Sequence, residues 1–458
     1  MSMTFDDGTF IRSELVTPLP PPIRNVGIIG WMRENLFSSV LNTLLTLFGL
    51  ALLVLIVPPM VRFALIDAVW TGENREACLD PGVGACWPFI RAKFAQLIYG
   101  FYPIEERWRP NIVFAAGAIL LVPLLVPSWP MKRLNALLFF VVYPIIAFIL
   151  LTGGNIDASS FLFQRFGLIQ PITGDASLAG VNIAFWADFV LTALVAAALV
   201  GGIIGLIGGN ALSAGRAVLL AFAGFGVLVL AWDIDFGLRP VETRQWGGLL
   251  VTLVIAVTGI VASLPLGILL ALGRRSQMPI VRLLSIVFIE FWRGVPLITV
   301  LFFATYMLPL FLPQGANPDG LLRALVGVAL FSAAYMAEVV RGGLQAIPKG
   351  QYEGAMAVGL TWGQMMRLIV LPQALTLVIP GIVNSFISLF KDTTLVLIVS
   401  IFDFLGQLRA SFTDPNWATP VTLYTGFAFA GIVYFLFCFG MSRYSLFVER
   451  RLNTSHRH

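Results

Sequence analysis

The side chains able to do chemistry in this 458-residue sequence are few, and most interrupt long apolar runs. Glu290 and Arg293 break the run 285–311, Glu338 and Arg341 close the run 321–341, and Lys391 and Asp392 fall inside 374–401. A charge at the centre of a bilayer costs roughly 2.5–3.5 kcal/mol on insertion scales, so each needs a partner or a task. Glu290 and Arg293 are three residues apart, which lets them share a helical face and pair. Such a pair either fixes an interrupted helix or lines a translocation path. Lys391 and Asp392 are adjacent and therefore point in different directions, toward a gate, a partner subunit or water. Glu338 and Arg341 stand where a helix meets an interface, and anchoring is their expected role. Asp188, Asp233 and Asp235 lie at the ends of apolar runs and are expected to be solvated.

The residues of hydrolytic, metal and nucleotide chemistry are missing from these runs. The only two histidines, His456 and His458, lie in the last three residues, which excludes a His-based triad or a His/Cys zinc site within the apolar segments. None of the four lysines, Lys93, Lys132, Lys349 and Lys391, follows a glycine, so a G-x-x-x-x-G-K-[ST] phosphate loop is impossible. The expectation is a chain that is not an enzyme, with no catalytic residues, no metal and no cofactor. If ATP powers it, a separate chain binds the ATP. Cys78 and Cys86, eight apart, are either a disulfide or two thiols, and Cys438 reads as a small packing residue.

The elements that must position these groups follow from composition. Hydrophobic residues make up 58% of the chain and charged ones 12%, against about 25% charged in soluble domains. That excludes a soluble enzyme or a nucleic-acid binder and gives an all-α polytopic membrane protein. Ten runs are long enough to cross roughly 30 Å of hydrocarbon: 39–59, 111–129, 135–152, 185–208, 215–233, 247–272, 285–311, 321–341, 374–401 and 420–441. The pair 111–129 and 135–152, separated by a Ser-Trp-Pro-Met-Lys-Arg turn, reads as a tight hairpin. Gly294 and Pro296 should bend 285–311. With both termini inside, Lys132, Arg133, Arg216, Arg274, Arg275, Arg282, the loop 342–373 and the tail with Arg443, Arg450 and Arg451 all fall on the cytoplasmic side.

The expected division is a polar cytoplasmic segment at 1–38, an accessory transmembrane region at 39–233 with an outer loop at 60–110, a functional core at 247–441, and a cytoplasmic tail at 442–458. Residues 1–36 read as disordered or surface-lying, and 234–246 is the join. No short apolar stretch with a cleavage site starts the sequence, so 39–59 is expected to act as an uncleaved anchor. Gly201, Gly205 and Gly209 offer a close-packing face, and 87–109, mixing aromatics with charges, is expected to lie along the outer interface.

The most informative segment is the loop 342–373. It is far longer than a common connection, and Leu360, Met365, Leu368, Ile369 and Leu371 mark an apolar stripe beside polar Glu353, Gln364 and Arg367. A short amphipathic helix of this kind suits docking to another protein. Within it, Glu353-Gly354-Ala355, then Gly359 after three residues, then Ile369-x-Leu371-Pro372 after nine, resembles the E-A-A-x3-G-x9-I-x-L-P loop of bacterial ABC-importer permeases. Gly354 replaces the pattern's second alanine and keeps the side chain small. The stretches 252–276, 289–309, 334–355, 384–395 and 437–445 resemble the polar amino-acid subfamily, and within it the larger permease subunit of general L-amino-acid (Aap/Bzt-type) systems.

What the resemblance implies is a C-terminal type I importer core of five helices, within about ten in all, in a bacterial inner membrane. The implied activity is ATP-driven import of polar L-amino acids, either the glutamate/glutamine/aspartate/asparagine group or a broad range, by alternating access. The implied partners are a second permease (a heterodimer), two ABC ATPase subunits docked on the coupling loops, and a periplasmic amino-acid-binding protein, within membrane lipid and without nucleic acid. Glu290, Arg293, Asn384, Lys391 and Asp392 are the candidates for the substrate path or gate. Two rival readings are an ABC permease for another small solute and an ion-coupled secondary transporter. The second should show paired broken helices in corresponding halves, and only 285–311 is clearly interrupted. A non-transporting membrane scaffold would lack the intramembrane charges.

Overall fold

The computed structural model describes residues 27–126, 128–154, 177–178, 181–182, 187–195, 236–311 and 319–453. Its N-terminal part comprises α1 (Gly27–Asn35), α2 (Val40–Ile66), α3 (Trp87–Tyr99), α4 (Ile104–Leu125) and α5 (Leu134–Thr152). Residues 27–35, within the segment expected to be disordered or surface-lying, are helical. A two-residue pairing, Ser177–Leu178 with Val181–Asn182, and a helical stretch at 187–195 follow. The core comprises α6 (Gly248–Arg274), α7 (Pro279–Gly294), α8 (Leu297–Phe311), α9 (Gly320–Ala346), α10 (Lys349–Ala357), α11 (362–377), α12 (Ile379–Val399), α13 (Phe404–Ser411) and α14 (Thr422–Leu452).

Among the described residues seven helices are long and apolar enough to cross a membrane, eight with the bent pair α7–α8. They coincide with eight of the ten runs expected from the sequence. Apart from the helical 187–195, the runs 185–208 and 215–233 lie outside the described residues, as do Gly201, Gly205, Gly209, Asp233 and Asp235. Asp188 is a correction. It is fully buried rather than solvated, and its carboxylate accepts the hydroxyl of Thr192 one turn on at 3.2 Å.

Small residues decide the centre of the core. At Gly267 on α6 a Cβ would come within 2.7 Å of Met336 on α9, and at Gly259 within 2.8 Å of Leu389 on α12. Together with Ala271, Ala333 and Ala337, all buried, they let the backbones approach closely, the packing favoured where lipid supplies no hydrophobic drive. The run 285–311 is bent by 102° between α7 and α8. Val295 is held in the extended region (φ −103°, ψ 132°) by the proline after it, and Pro296 has no N–H to continue α7. α7 consequently crosses the ends of α6 and α9. It buries Ser285 and Ile289 while leaving Ile280, Leu283, Leu284, Val287 and Phe291 exposed.

Two features at the N-terminal side differ in how they are held. α2 is apolar all round and buries none of its spanning stretch, the pattern of a helix solvated by lipid. α4 and α5 form the expected hairpin, with Met131 left-handed at the turn, Tyr143 Oη donating to the carbonyl of Val113 at 3.0 Å, and the Lys132 ammonium donating to the carbonyl of Pro123 at 2.6 Å. The described part of the join, 236–246, is pinned where Val241 and Trp246 are buried. Buried Arg109 donates to the carbonyl of Arg239 at 2.7 Å and pairs with Glu106 at 2.8 Å.

The segment 87–109 also packs inward, which its sequence did not show. Phe89, Ile90 and Leu97 are buried with Phe404, Leu408 and Trp417 in one cluster, so α3 caps the end of the bundle where α6 begins. Gly100 (φ +65°) ends α3, and a Cβ there would strike the Cα of Gly247 at 2.4 Å, which is why glycine stands at this crossing. Cys78 and Cys86 form a buried disulfide within the cap. The Lys93 ammonium donates to the Asp414 carboxylate and, with the Asn416 N–H, holds that acid below the usual carboxylate range. Buried Asp403 accepts the N–H groups of Leu405 and Gly406 and so caps α13; its desolvation pushes the carboxyl up.

Candidate functional site

The loop 342–373 is structured throughout. α9 runs on to Ala346, so the first five residues of the expected loop are helix. Pro348 opens α10, and a turn at 358–360 leads to α11, whose first turn is closed by a capping box between Thr361 and Gln364. Gly359 sits at φ +78° with no atom near a would-be Cβ, so the turn demands its conformation and not its size. Pro372 stands in the first turn of the α-helical segment Leu371–Leu377. It lies inside 362–377, just after a wide π turn at Met366–Val370 that absorbs its missing N–H. The helix then breaks at Val378, so the next span starts at Ile379 and not at 374.

Within this arm the motif residues divide by task. Ala355 is buried with Leu344, Ile347, Met365, Met366 and Val370, and Ile369 and Leu371 pack partly against the same cluster. Glu353 and Gly354 point away from it and are exposed, and nothing lies within 4 Å of a would-be Cβ at Gly354. Met356, Val358, Trp362 and Leu368 are exposed as well, Val358 by 74% and Leu368 by 64%. The stripe read from the sequence therefore needs correcting. Leu368 belongs to the outer face, while Met366 and Val370 lie within. The result is an apolar surface edged by one carboxylate, held rigidly on α9 and α11.

Next to this arm lies a cluster of five charges that the sequence had only paired in twos. One nitrogen of Arg274, Nη1, donates to Oε1 of Glu290 at 2.8 Å and to Oε1 of Glu338 at 2.9 Å. Arg341 donates to Oε2 of Glu338 at 2.7 and 2.9 Å. Arg293 stands 3.9 Å from Glu290 and 3.7 Å from Glu338. The expected Glu290–Arg293 pair exists, but it is the loosest contact in the group. Glu338 and Arg341 are members of the cluster and not mere anchors. Arg274, at the last residue of α6, is the residue that sequence reading missed, because a helix-end arginine carries no mark of its distant partners.

A separate cavity of about 340 Å³ opens among α6, α9 and α12. Ser263, Ser332 and Tyr335 line it from α6 and α9, and Asn384, Ser388 and Asp392 line it from α12. The last three are spaced four apart, so one helical face carries an amide, a hydroxyl and a carboxylate. That spacing was legible in the sequence. The rings of Phe331 and Tyr335 flank the cavity with centroids 4.9 Å apart. Lys391 is exposed and does not line it. Of the five expected path residues, the structure brings Asn384 and Asp392 together here, gathers Glu290 and Arg293 at the end of α6, and leaves Lys391 outside both. Among the described residues no cluster of potential metal ligands is found.

Comparison with known proteins adds four findings. The profile described as "Binding-protein-dependent transport system inner membrane component" matches residues 263–454. The chain is 41% identical to the inner membrane amino-acid ABC transporter permease protein YhdY of Escherichia coli K12, over 95% of this chain and 96% of that one. It is 43% identical to the glutamate/glutamine/aspartate/asparagine transport system permease protein BztC of Rhodobacter capsulatus, over 98% of this chain and all of the relative. The glutamate/aspartate import permease protein GltK of Escherichia coli O6:H1 is shorter. It is 35% identical over 44% of this chain and 91% of its own length.

Proposed function

Since the chain belongs to the inner-membrane permeases of amino-acid ABC transporters, we propose that it imports glutamate, glutamine, aspartate and asparagine, or a wider set of polar L-amino acids. It is a multi-pass transport component rather than an enzyme. In this reading ATP is hydrolysed on two separate ATPase chains. One docks on the exposed face of α10, with Glu353 and Gly354 meeting the partner while Ala355, Gly359, Ile369, Leu371 and Pro372 shape and hold the arm. A second, similar permease completes a heterodimer, and a periplasmic binding protein delivers the substrate.

The cavity is the substrate's resting place. Asp392 supplies the counter-charge for an α-ammonium group, and Asn384 with Ser332 and Ser388 offers neutral hydrogen bonds to the remainder. Glu290 and Arg293 belong to a gate at the bend. The chain divides into a segment 1–38, an accessory region 39–233 whose α3 caps the core, the core 247–441 and the tail 442–458. Both termini face the cytoplasm. In favour of that orientation, Tyr444 on α14 donates to the carbonyl of Leu125 at 3.0 Å, beside Lys132 and its basic turn, so these positively charged connections share one end. The disulfide-bearing cap lies at the other end, where Thr425 at the start of α14 accepts the N–H of Cys86 at 2.9 Å, as suits an oxidising periplasm.

The single observation that carries the reading is α10 with Glu353 and Gly354 outward and Ala355 packed inward. Uptake of radiolabelled glutamate by cells lacking the gene, with and without its restoration, tests it. Unlabelled acidic, amide, neutral and basic amino acids serve as competitors. Blocking by acids and amides alone gives the narrow substrate group, and blocking by all classes gives the broad one. No change on restoration refutes the amino-acid assignment.

A further inference from the structure

Two adjacent arginines at the end of α6 reach in opposite directions, and their partners are the docking arm and the bent helix. Arg275 Nη1 donates to Tyr352 Oη at 3.0 Å and to the carbonyl of Leu344 at 3.1 Å, with its guanidinium 5.5 Å from the centre of the Tyr352 ring. Tyr352 immediately precedes Glu353 on α10, and its own hydroxyl donates to Leu344 at 3.2 Å. Arg274 turns the other way and bridges Glu338 on α9 to Glu290 on α7 through a single nitrogen.

What these arginines join differs greatly in how firmly it is packed. α6 and α9 are fixed to each other by interlocked small residues. α7 fully buries only Ser285 and Ile289, packs Trp292 partly against the core, lies across them beyond a 102° bend, and is tied to α6 and α9 by the polar cluster as well. A helix with so few fully buried side chains, tied in part by ion pairs, can shift while its more closely packed neighbours stay in place.

We propose that Arg274 and Arg275 form the mechanical link of the transport cycle: displacement of α10 is taken up at Tyr352 by Arg275 and passed through Arg274 to Glu290, moving α7. Both are positioning residues; neither touches substrate. The proposal rests on the reading of α10 as the ATPase docking helix. It also explains a detail of geometry. Because one nitrogen of Arg274 serves both carboxylates, the forked guanidinium is not required and a lysine ammonium can take its place. Removing the charge leaves Glu290 with Arg293 nearby and Glu338 with Arg341 and Arg293, so no carboxylate is stranded.

The test uses the assembled transporter, purified through a tag on this chain and reconstituted in vesicles, with ATP hydrolysis and uptake of labelled glutamate and glutamine measured on the same preparation. Arg274→Gln and Tyr352→Phe should retain the co-purifying ATPase and its hydrolysis, while substrate moved per ATP falls by about fivefold or more, the lower end of ordinary coupling effects. Arg274→Lys should recover most of that ratio. A merely structural role would lower hydrolysis and uptake together. An unchanged ratio in Arg274→Gln, or a lysine variant no better than glutamine, overturns the link. Loss of the ATPase from Arg274→Gln also overturns it, by making the residue part of the dock. Retention of the ATPase by Glu353→Lys instead refutes the docking reading on which the link rests.

Discussion

Gly342 and Gly343 are neighbours in α9, and the structure assigns their alanine variants opposite signs. At Gly343 a Cβ would lie 2.5 Å from the carbonyl oxygen of Ala374 and 2.9 Å from Val378 Cγ1, where ordinary contact begins at 3.4 Å. The nearest atom is backbone and cannot rotate away, so α9 and α11 must part by about 0.9 Å. Overpacking of that kind costs about 1–3 kcal/mol. At Gly342 nothing lies within 4 Å. Both substitutions gain the same intrinsic benefit of alanine over glycine inside a helix, about 0.5–1 kcal/mol. That benefit cancels between the two variants, so their difference isolates the overpacking, centred near 2 kcal/mol. For a unit of roughly 200 residues this corresponds to about 4–8 °C in melting temperature. Thermal unfolding of the two variants in the same detergent measures it. Gly342→Ala should melt at or slightly above the wild type and Gly343→Ala several degrees below. Equal shifts for both would mean that α9 and α11 are not in the close approach described, and the placement of the docking arm argued from it would fall.

Three further outcomes follow from the geometry. Glu353→Lys should insert normally but lose co-purifying ATPase, whereas Gly354→Ala, with open space around the new methyl, should keep both ATPase and uptake; pull-down against membrane yield separates them. Asp392→Asn should reduce uptake of acidic and amide amino acids alike, because the group that it serves is common to all of them; a loss confined to one side-chain class would refute the ammonium role. Asp414→Asn tests the cap. The folded-state pKa of Asp414 is lowered, so its ion pair with Lys93 stabilises the protein above the ordinary carboxylate pKa of about 3.9, and that contribution is lost as pH falls through the folded value. The variant should therefore melt below the wild type at pH 7 and converge with it below about pH 4, and a gap that persists in acid would count against the pairing.

The sequence by itself determined where the chain enters and leaves an apolar phase, because roughly 20 apolar residues are needed to span it whatever surrounds them. It also determined features set by immediate neighbours in the chain. Val295-Pro296 had to bend the run 285–311, Gly359 had to turn the arm, and Asn384, Ser388 and Asp392 had to share a helical face. Tertiary structure alone decided which distant groups meet. Periodicity relates residues within a few turns, so it could pair Glu290 with Arg293 and Glu338 with Arg341, but it could not bring Arg274 between them from another helix. For the same reason the sequence could not show that 87–109 packs inward. Its apolar residues are matched by Phe404, Leu408 and Trp417 more than 300 positions away, and only packing reveals that match. The chain's composition made it a membrane protein, and the contacts between its helices gave it a docking arm, a cavity and the charges that lie between them.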